Sequence, residues 1–268
     1  MFYFRVLGTF LNNALIREMS FRGNFIIGTL TRAFWFTAQL TLFGIIFSRV
    51  PAINGWSQYQ FYVFLATGMM INTLIEAFFM PNCANFSELI RTGDLDFVLL
   101  KPIDTQFMIS LEKIDLGTLS HLILSGSLLV YSVSRLEVTI TPWMVLAYVA
   151  MLIVSVAFFY SLMLVLAATS IFFGRNQGLY DFWFYITIFS RYPREIYLGS
   201  LAGDVLYFTF SSLLPVLLVV NLPAQVLAGK LFQPSWIWVW MLVATGVGLN
   251  VSRRIFLWSV DNYRSAGG

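Results

Sequence analysis

Long apolar segments constrain the fold of this chain more than any other feature. Six candidate segments of mostly apolar residues lie at about 24–47, 59–80, 106–131, 142–173, somewhere within 178–228, and at about 235–252. A helix needs about 20 such residues to cross the hydrocarbon core of a bilayer. The sequence therefore predicts an all-α, polytopic membrane protein with six transmembrane helices.

The low content of charged residues supports the same class. Charged residues make up 11% of the chain and hydrophobic residues 59%, whereas soluble domains carry roughly 25% charged residues. Too few charges are present to cover a water-facing surface. The net charge of +3 does not indicate binding to nucleic acid. We predict a single transmembrane domain over residues 1–268 that is surrounded by membrane lipids.

The first segment has the pattern of an amphipathic helix over residues 2–20. Its apolar residues recur at helical spacing: Phe2, Val6, Leu7, Phe10, Leu11, Ala14 and Leu15. Arg5 and Arg17 fall elsewhere on the helical wheel. A helix of this kind lies in the membrane interface, so we expect residues 1–23 to form an interfacial helix.

The distribution of basic residues predicts the orientation, because cytoplasmic loops carry an excess of Lys and Arg. With the N-terminus inside, the cytoplasmic segments hold Arg5, Arg17, Arg22, Arg32, Arg91, Lys101, Lys113, Arg175, Arg253, Arg254 and Arg264. The outside then holds only Arg49, Arg135 and Lys230, with Arg191 and Arg194 unassigned. Both termini and the polar interval 82–105 are therefore predicted to be cytoplasmic.

The fifth crossing has two possible paths within a broken region at 191–230. In the first, 178–190 crosses and 201–228 dips back as a re-entrant pair of helices. In the second, 178–196 lies at the interface and 204–224 crosses. Broken helices at membrane depth need protein or water around them. Both paths therefore predict a packed or cavity-lining region, and we favour the re-entrant path.

The polar interval between the second and third segments predicts two short helices. Ser87 can cap the first helix, and Gly93 can end it in a left-handed conformation. Asp94 can cap the second, and Pro102 disfavours its continuation. This turn would present apolar side chains that lie among charges: Leu89, Ile90, Leu95, Phe97, Leu99 and Leu100. Such a patch marks a protein contact, although it could instead tuck against the membrane surface.

Ionisable residues inside apolar segments are candidates for a transport pathway. Glu76 lies late in the second segment, His121 near the middle of the third, and Asp204 in the broken fifth. Glu76 could also be an interfacial carboxylate that reaches water, and His121 a hydrogen-bonded packing residue. A metal site is not expected, because the chain has one histidine and one cysteine, Cys83.

Several motifs resemble those of one family. The stretch G-D-L-D-F-V-L-L-K-P (93–102) is similar to the cytoplasmic loop of ABC-2-type permeases of ABC transporters, in particular a bacterial branch with the pattern G-x-L-D-x-x-L-L-x-P. R-Y-P-R-E-I-Y (191–197), N-L-P-A (221–224) and the tail around Tyr263, Ser265 and Gly267 are also similar to that branch.

The resemblance implies a permease that forms a dimer with a second copy or with a sister chain, and a separate ATPase subunit below each permease. The chain would be no enzyme and would bind no cofactor, since ATP and magnesium would belong to the ATPase. It implies export across a bacterial plasma (inner) membrane. The loop 87–104 would be the coupling helix, with these contact residues: Glu88, Leu89, Arg91, Gly93, Asp94, Leu95, Asp96, Phe97 and Lys101.

The residues themselves leave two further function classes open. A lipid- or isoprenoid-modifying membrane enzyme would need clustered acids, but Asp94, Asp96 and Asp104 lack the D-D-x-x-D spacing that holds magnesium and diphosphate. A secondary transporter or channel would usually show an internal repeat or charged pairs in mid-span, and neither is visible. The chain also lacks the phosphate loop G-x-x-x-x-G-K-[ST], so ATP hydrolysis is expected from another polypeptide.

Overall fold

The computed structural model describes residues 2–20, 22–173, 178–230 and 236–264, and these are almost entirely helical. The helices are α1 (Phe2–Ser20), α2 (Arg22–Phe47), α3 (Gln58–Phe78), α4 (Met80–Thr92), α5 (Leu95–Leu99), α6 (Thr105–Leu111), α7 (Leu116–Leu119), α8 (His121–Ser134), α9 (Pro142–Phe173), α10 (Gly178–Ser190), α11 (Leu201–Phe208), α12 (Val216–Leu227) and α13 (Trp236–Asp261). The strands β1 (Ala52–Ile53) and β2 (Trp56–Ser57) form a hairpin between α2 and α3. Three residues used above, Arg175, Ser265 and Gly267, lie outside the described residues.

Four stretches of helix among the described residues are long and apolar enough to cross a membrane: α2, α3 continued by α4, α7 with α8, and α9. A fifth is added if α11 with the π-helical turn Thr209–Leu213 and α12, which are bent by 79°, count as one span. This confirms an all-α polytopic membrane protein. Since α13 is 26 residues long but less apolar, six transmembrane helices remain a prediction.

The predicted third span, 106–131, is wrong in its first part. The chain forms the short helix α6, breaks at 112–115, and resumes as α7 and α8. Asn82 holds the break: its Oδ1 accepts from Lys113 N at 2.7 Å, and its Nδ2 donates to the carbonyls of Lys113 and Ser110 at 2.7 and 3.1 Å. Asp115 then caps α7 by accepting from Thr118 N at 2.8 Å. The span therefore begins at Leu116.

One end of the molecule, here called the coupling face, consists of α1, the helices α4 to α6, and the C-terminal end of α13. Arg17 of α1 donates to the carbonyl of Ile114 at 2.6 Å. Arg253 of α13 forms an ion pair with Asp104 at 2.6 Å. The helix predicted at 2–20 is confirmed. However, only Phe10 and Ala14 of its apolar residues are buried, whereas Phe2, Leu11 and Leu15 are exposed.

The opposite end, the hairpin face, is organised around the turn between β1 and β2. Asn54 and Gly55 occupy this turn with φ of +46° and +78°. Trp56 donates to Glu195 before the bent pair of helices at 3.1 Å, and Lys230 after that pair donates to the Gly55 carbonyl at 2.7 Å. The chain thus enters and leaves the bent pair beside the same hairpin.

The core of the bundle lies around α12, which packs against α3, α9 and α10. Nearly every side chain of α12 is buried. The Ser155 hydroxyl of α9 donates to the Val219 carbonyl at 2.6 Å. A Cβ at Gly68 of α3 would lie 3.4 Å from Val220, so these two helices approach closely. This packing satisfies the polar backbone of a broken helix inside the bundle, which lipid could not do.

Candidate functional site

The segment 87–104 forms a tight helical corner on the coupling face. Gly93 follows α4 with φ of +78°, a left-handed conformation that glycine adopts without a Cβ penalty. The predicted turn at this residue is therefore confirmed. The predicted start at Ser87 is wrong, because α4 already begins at Met80, with Pro81 in its first turn. Ser87 instead donates to the Ala84 carbonyl within the helix, at 3.2 Å.

The apolar residues of this corner divide into buried and exposed members. Leu95 is fully buried and Val98 is 6% exposed, so they anchor α5 to the body of the protein. Phe97 is 69% and Leu100 81% exposed. Leu95 was predicted to lie on the surface, and this is wrong. Leu89 and Ile90, predicted to be exposed as well, are half-buried. Leu99 is also exposed. The corner therefore presents Phe97 and Leu100 from a fixed base.

Charged side chains surround these exposed residues. Arg91 pairs with Glu88 along α4, with Nε donating to Oε2 at 2.9 Å. Asp94 precedes α5 as predicted, but its carboxylate accepts from Thr92 Oγ1 at 2.7 Å and makes no cap bond to the helix. Lys101 is exposed and Asp96 half-buried. An apolar patch with a polar rim is the pattern of a protein contact.

A second candidate site is a cavity of about 610 Å³ between α2, α3, the start of α8 and the end of α10. Glu76 and His121, both predicted as pathway residues, line it together with Arg32 and Arg191. Volumes of 300–1,000 Å³ are typical of ligand sites. Ionisable groups gathered at membrane depth mark substrate or ion pathways, so the structure brings two of the three predicted pathway residues to one cavity.

Neighbouring helices hold the polar groups of this cavity, which is here called the polar cavity. Glu76 accepts from the indole Nε1 of Trp183 on α10 at 3.3 Å. Arg32 of α2 donates to Thr118 Oγ1 at 2.7 Å, and that hydroxyl donates to Asp115 at 2.9 Å. Glu76 remains exposed to the open cavity. The cavity wall therefore carries a cation and a carboxylate that are oriented but not paired with each other.

His121 contributes a half-satisfied imidazole to the polar cavity. Its Nδ1 lies 3.3 Å from Thr73 Oγ1, and its Nε2 is buried without a hydrogen-bond partner among the described residues. The Asn72 Oδ1 is also buried without a hydrogen-bond partner among the described residues. His121 is the sixth residue of the span Leu116–Ser134, and its ring packs edge-on against Phe36 in the middle of α2. Polar atoms that lack protein partners in a cavity favour water or a polar ligand there.

Asp204 does not belong to the polar cavity. It lies exposed in the first turn of α11, where its Oδ1 accepts from Gly199 N at 3.2 Å. Its role in the structure is local, because an acidic residue there stabilises the start of a helix. Among the described residues, no three His, Cys, Asp or Glu side chains are arranged to hold a metal ion.

The sequence analysis missed a polar network on the hairpin face. The Glu195 carboxylate accepts from Trp56 Nε1 at 3.1 Å, Gln225 Nε2 at 3.2 Å and Arg194 Nε at 3.3 Å. Lys230 lies 4.2 Å above the centre of the Trp56 ring. Partial burial lowers the pKa of Lys230, and Glu195 acts in the opposite direction. The only signal in the sequence was the charged R-Y-P-R-E interruption between two apolar runs.

A known protein family matches most of the chain. A family model described as ABC-2 family transporter protein matches residues 33–267. The chain belongs to this family. No curated protein and no solved structure matches the chain. The resemblance noted in the motifs is thereby confirmed at the level of the family.

As an ABC-2 permease, the chain is a multi-pass membrane component of an ABC transporter. Membership in the family implies association with an ABC ATPase and, typically, a dimer of permeases. The match covers α3 to α13 and most of α2. The exposed corner of the coupling face and the polar cavity, apart from Arg32, therefore lie within the matched region.

Proposed function

We propose that this permease is the membrane-spanning subunit of an ATP-driven exporter, and that a separate ATPase docks on the corner formed by α4, Gly93 and α5. The observation that carries the proposal is the exposure of Phe97 and Leu100 on a base fixed by Leu95. Two large apolar side chains on a rigid support are the kind of anchor that dominates binding energy at interfaces.

The coupling face would be cytoplasmic, with both termini on that side of a bacterial plasma membrane. Its excess of Lys and Arg supports this orientation. With α13 as the sixth crossing, α10 would complete the fifth and the bent pair of helices would be re-entrant. Support comes from Glu195 and Lys230, which flank that pair and both contact the hairpin.

ATP and magnesium would be bound by the ATPase, one copy below each permease of a dimer, and none by this chain. The second permease would be another copy or a sister chain. The absence of a phosphate loop from the sequence supports this division of labour. The charged contacts of the docked ATPase would be Glu88, Arg91, Asp94 and Lys101, with Asp96 beside them.

Purification of the tagged full-length chain from its native membrane should bring down an ATPase subunit. The complex should hydrolyse ATP, whereas the separated permease should not. Subunit stoichiometry from native mass spectrometry should show equal numbers of permease and ATPase chains. Recovery of a stable, active permease without any ATPase would overturn the proposal.

We further propose that the polar cavity is part of the transport pathway. A pathway for a polar cargo must be wet, whereas the outer faces of the spans contact lipid. Its wall has two buried polar atoms, on Asn72 and His121, that lack partners among the described residues, and Glu76 is exposed to the cavity. Water would supply the missing hydrogen bonds at these positions.

Thiol labelling tests whether the polar cavity is wet. In a Cys83→Ala background, Asn72→Cys should react with a hydrophilic maleimide roughly tenfold faster than Ile123→Cys, because apolar surroundings suppress the reactive thiolate. Ile123 is 72% exposed on the outside of α8, two residues from His121, and is a control at similar depth. Equal rates at the two positions would mean that the cavity is dry or absent.

A further inference from the structure

A second cavity, here called the lateral groove, lies on the face of α3 opposite the polar cavity. It has a volume of about 540 Å³ and is enclosed by α3, α6 and α9. Its walls are apolar, with Leu74, Phe107, Leu152 and Val156 among them. Ile153 in its α9 wall is 61% exposed, so the groove is open on the outer side of the bundle. An apolar groove in this position would hold a hydrocarbon chain rather than water.

One end of the lateral groove is polar and charged. Arg253 Nη2 donates to Asp104 Oδ2 at 2.6 Å, and Nη1 donates to Asp104 Oδ1 at 3.0 Å and to Gln106 Oε1 at 2.8 Å. Asp104 Oδ1 also accepts from Phe107 N at 2.9 Å, which caps α6. The arginine and aspartate side chains remain 42% and 30% exposed. The pair is therefore accessible at the mouth of the groove.

Both members of the pair can bind a further group. Arginine has five N–H donors, and three of them are engaged with described residues. Asp104 accepts from Arg253 and from the backbone of Phe107 and Gln106, and its carboxylate is still 30% exposed. The Arg253 guanidinium holds the pKa of Asp104 below its usual value, so the carboxylate is charged at neutral pH. The mouth thus offers spare guanidinium N–H donors and a partly exposed carboxylate, with no net charge.

The polar end also lies at the depth where headgroups are found. Asp104 belongs to the coupling face. Nearby, Gln106 Nε2 donates to the hydroxyl of Tyr160 on α9 at 2.8 Å. From Tyr160 the groove follows α9 back to Leu152, a rise of about 12 Å towards the middle of the bilayer. The order of polar mouth and apolar body matches the order of headgroup and acyl chain in the adjoining leaflet.

We propose that the lateral groove binds a zwitterionic phospholipid of the leaflet on the coupling face, with an acyl chain between α3 and α9. Its phosphate contacts Arg253 and its headgroup ammonium contacts Asp104. The site is separate from the polar cavity and does not depend on the proposed docking of an ATPase. Because Asp104 also caps α6, directly after the docking corner, bound lipid would help to order that corner.

A matched pair of alanine substitutions on α9 tests occupancy of the groove. Ala157 lines the groove, whereas Ala150, two turns earlier, is exposed outside it. The purified full-length chain is titrated with phosphatidylethanolamine, and bound lipid is counted by native mass spectrometry. Ala157→Phe should weaken binding about tenfold, equivalent to about 1.4 kcal/mol, and Ala150→Phe should leave it unchanged.

Equal binding by the two variants, or absence of bound lipid from the wild-type chain, would overturn the site. If Ala157→Phe fails to fold, Ile153→Trp replaces it. Ile153 lines the groove but is 61% exposed, so the larger ring fills the groove without entering the core. The same loss of binding is expected from that variant.

The headgroup assignment has a separate test. The wild-type chain should prefer phosphatidylethanolamine over phosphatidylglycerol by about fivefold, or about 1 kcal/mol. Asp104→Asn keeps a good helix cap but removes the negative charge, so the preference should disappear while total binding persists. A wild-type chain that binds both lipids equally, or an Asp104→Asn variant that keeps the preference, would overturn the assignment.

Discussion

Replacing Trp56 with alanine is expected to lower the free energy of unfolding by about 3–5 kcal/mol, the range for large aromatic side chains removed from a core. The Trp56 side chain is fully buried and packs edge-on against Phe64, with ring centres 5.6 Å apart. Its loss also removes a donor to Glu195 and the ring beneath Lys230. The variant would therefore combine a cavity with two charged groups that have lost contacts.

The measurement can use the single cysteine of the chain. Cys83 is buried, so a thiol-reactive dye reports unfolding as that residue becomes accessible. Trp143→Ala is the matched control, because Trp143 is 74% exposed and surface changes of this kind usually stay within about 0.5 kcal/mol. The free energy of unfolding of Trp56→Phe should lie between those of Trp56→Ala and Trp143→Ala. If Trp56→Ala and Trp143→Ala have the same free energy of unfolding, the hairpin does not stabilise this end of the bundle.

Replacing both Phe97 and Leu100 with alanine is expected to weaken binding of the ATPase by about 30-fold or more, since truncation of central apolar anchors costs about 2 kcal/mol or more. Both side chains are exposed in the chain itself, so their removal should leave the melting temperature unchanged. The measurement is a titration of the purified permease with its ATPase, followed by the ATP hydrolysis rate of the complex.

Leu201→Ala is the control for this experiment. Leu201 is 89% exposed, and it lies near the hairpin face, away from the proposed dock. Normal ATPase binding by the double variant would mean that docking occurs elsewhere on the coupling face. Loss of binding by Leu201→Ala as well would point to a general effect of removing exposed apolar surface.

Local patterns in the sequence were sufficient for several elements. The helix predicted at 2–20 and the span predicted at 142–173 have the bounds observed for α1 and α9. The turn at Gly93 was also predicted correctly. These features depend on runs of apolar residues and on the conformational freedom of one glycine. Both act over a few neighbouring residues, so they can be recognised without knowledge of the fold.

The break in the third span could not be placed from local patterns alone. Glu112 and Lys113 were charges inside an apolar run that still looked long enough to cross. The structure breaks the helix there because Asn82, some 30 residues earlier, satisfies the freed backbone groups. That contact depends on how α4 packs against the α6–α7 segment, which is a property of the tertiary structure.

By itself, the sequence determined that this chain is a helical membrane protein of the ABC-2 type, where its charged corner lies, and which residues could line a pathway. Only the tertiary structure decided that Leu95 is an anchor while Phe97 and Leu100 face outward. It also brought Trp56 to Glu195, and Arg253 to Asp104 across 149 positions. Hydropathy reports how apolar a segment is, but the partners that cover each side chain are set by packing between segments far apart in the chain.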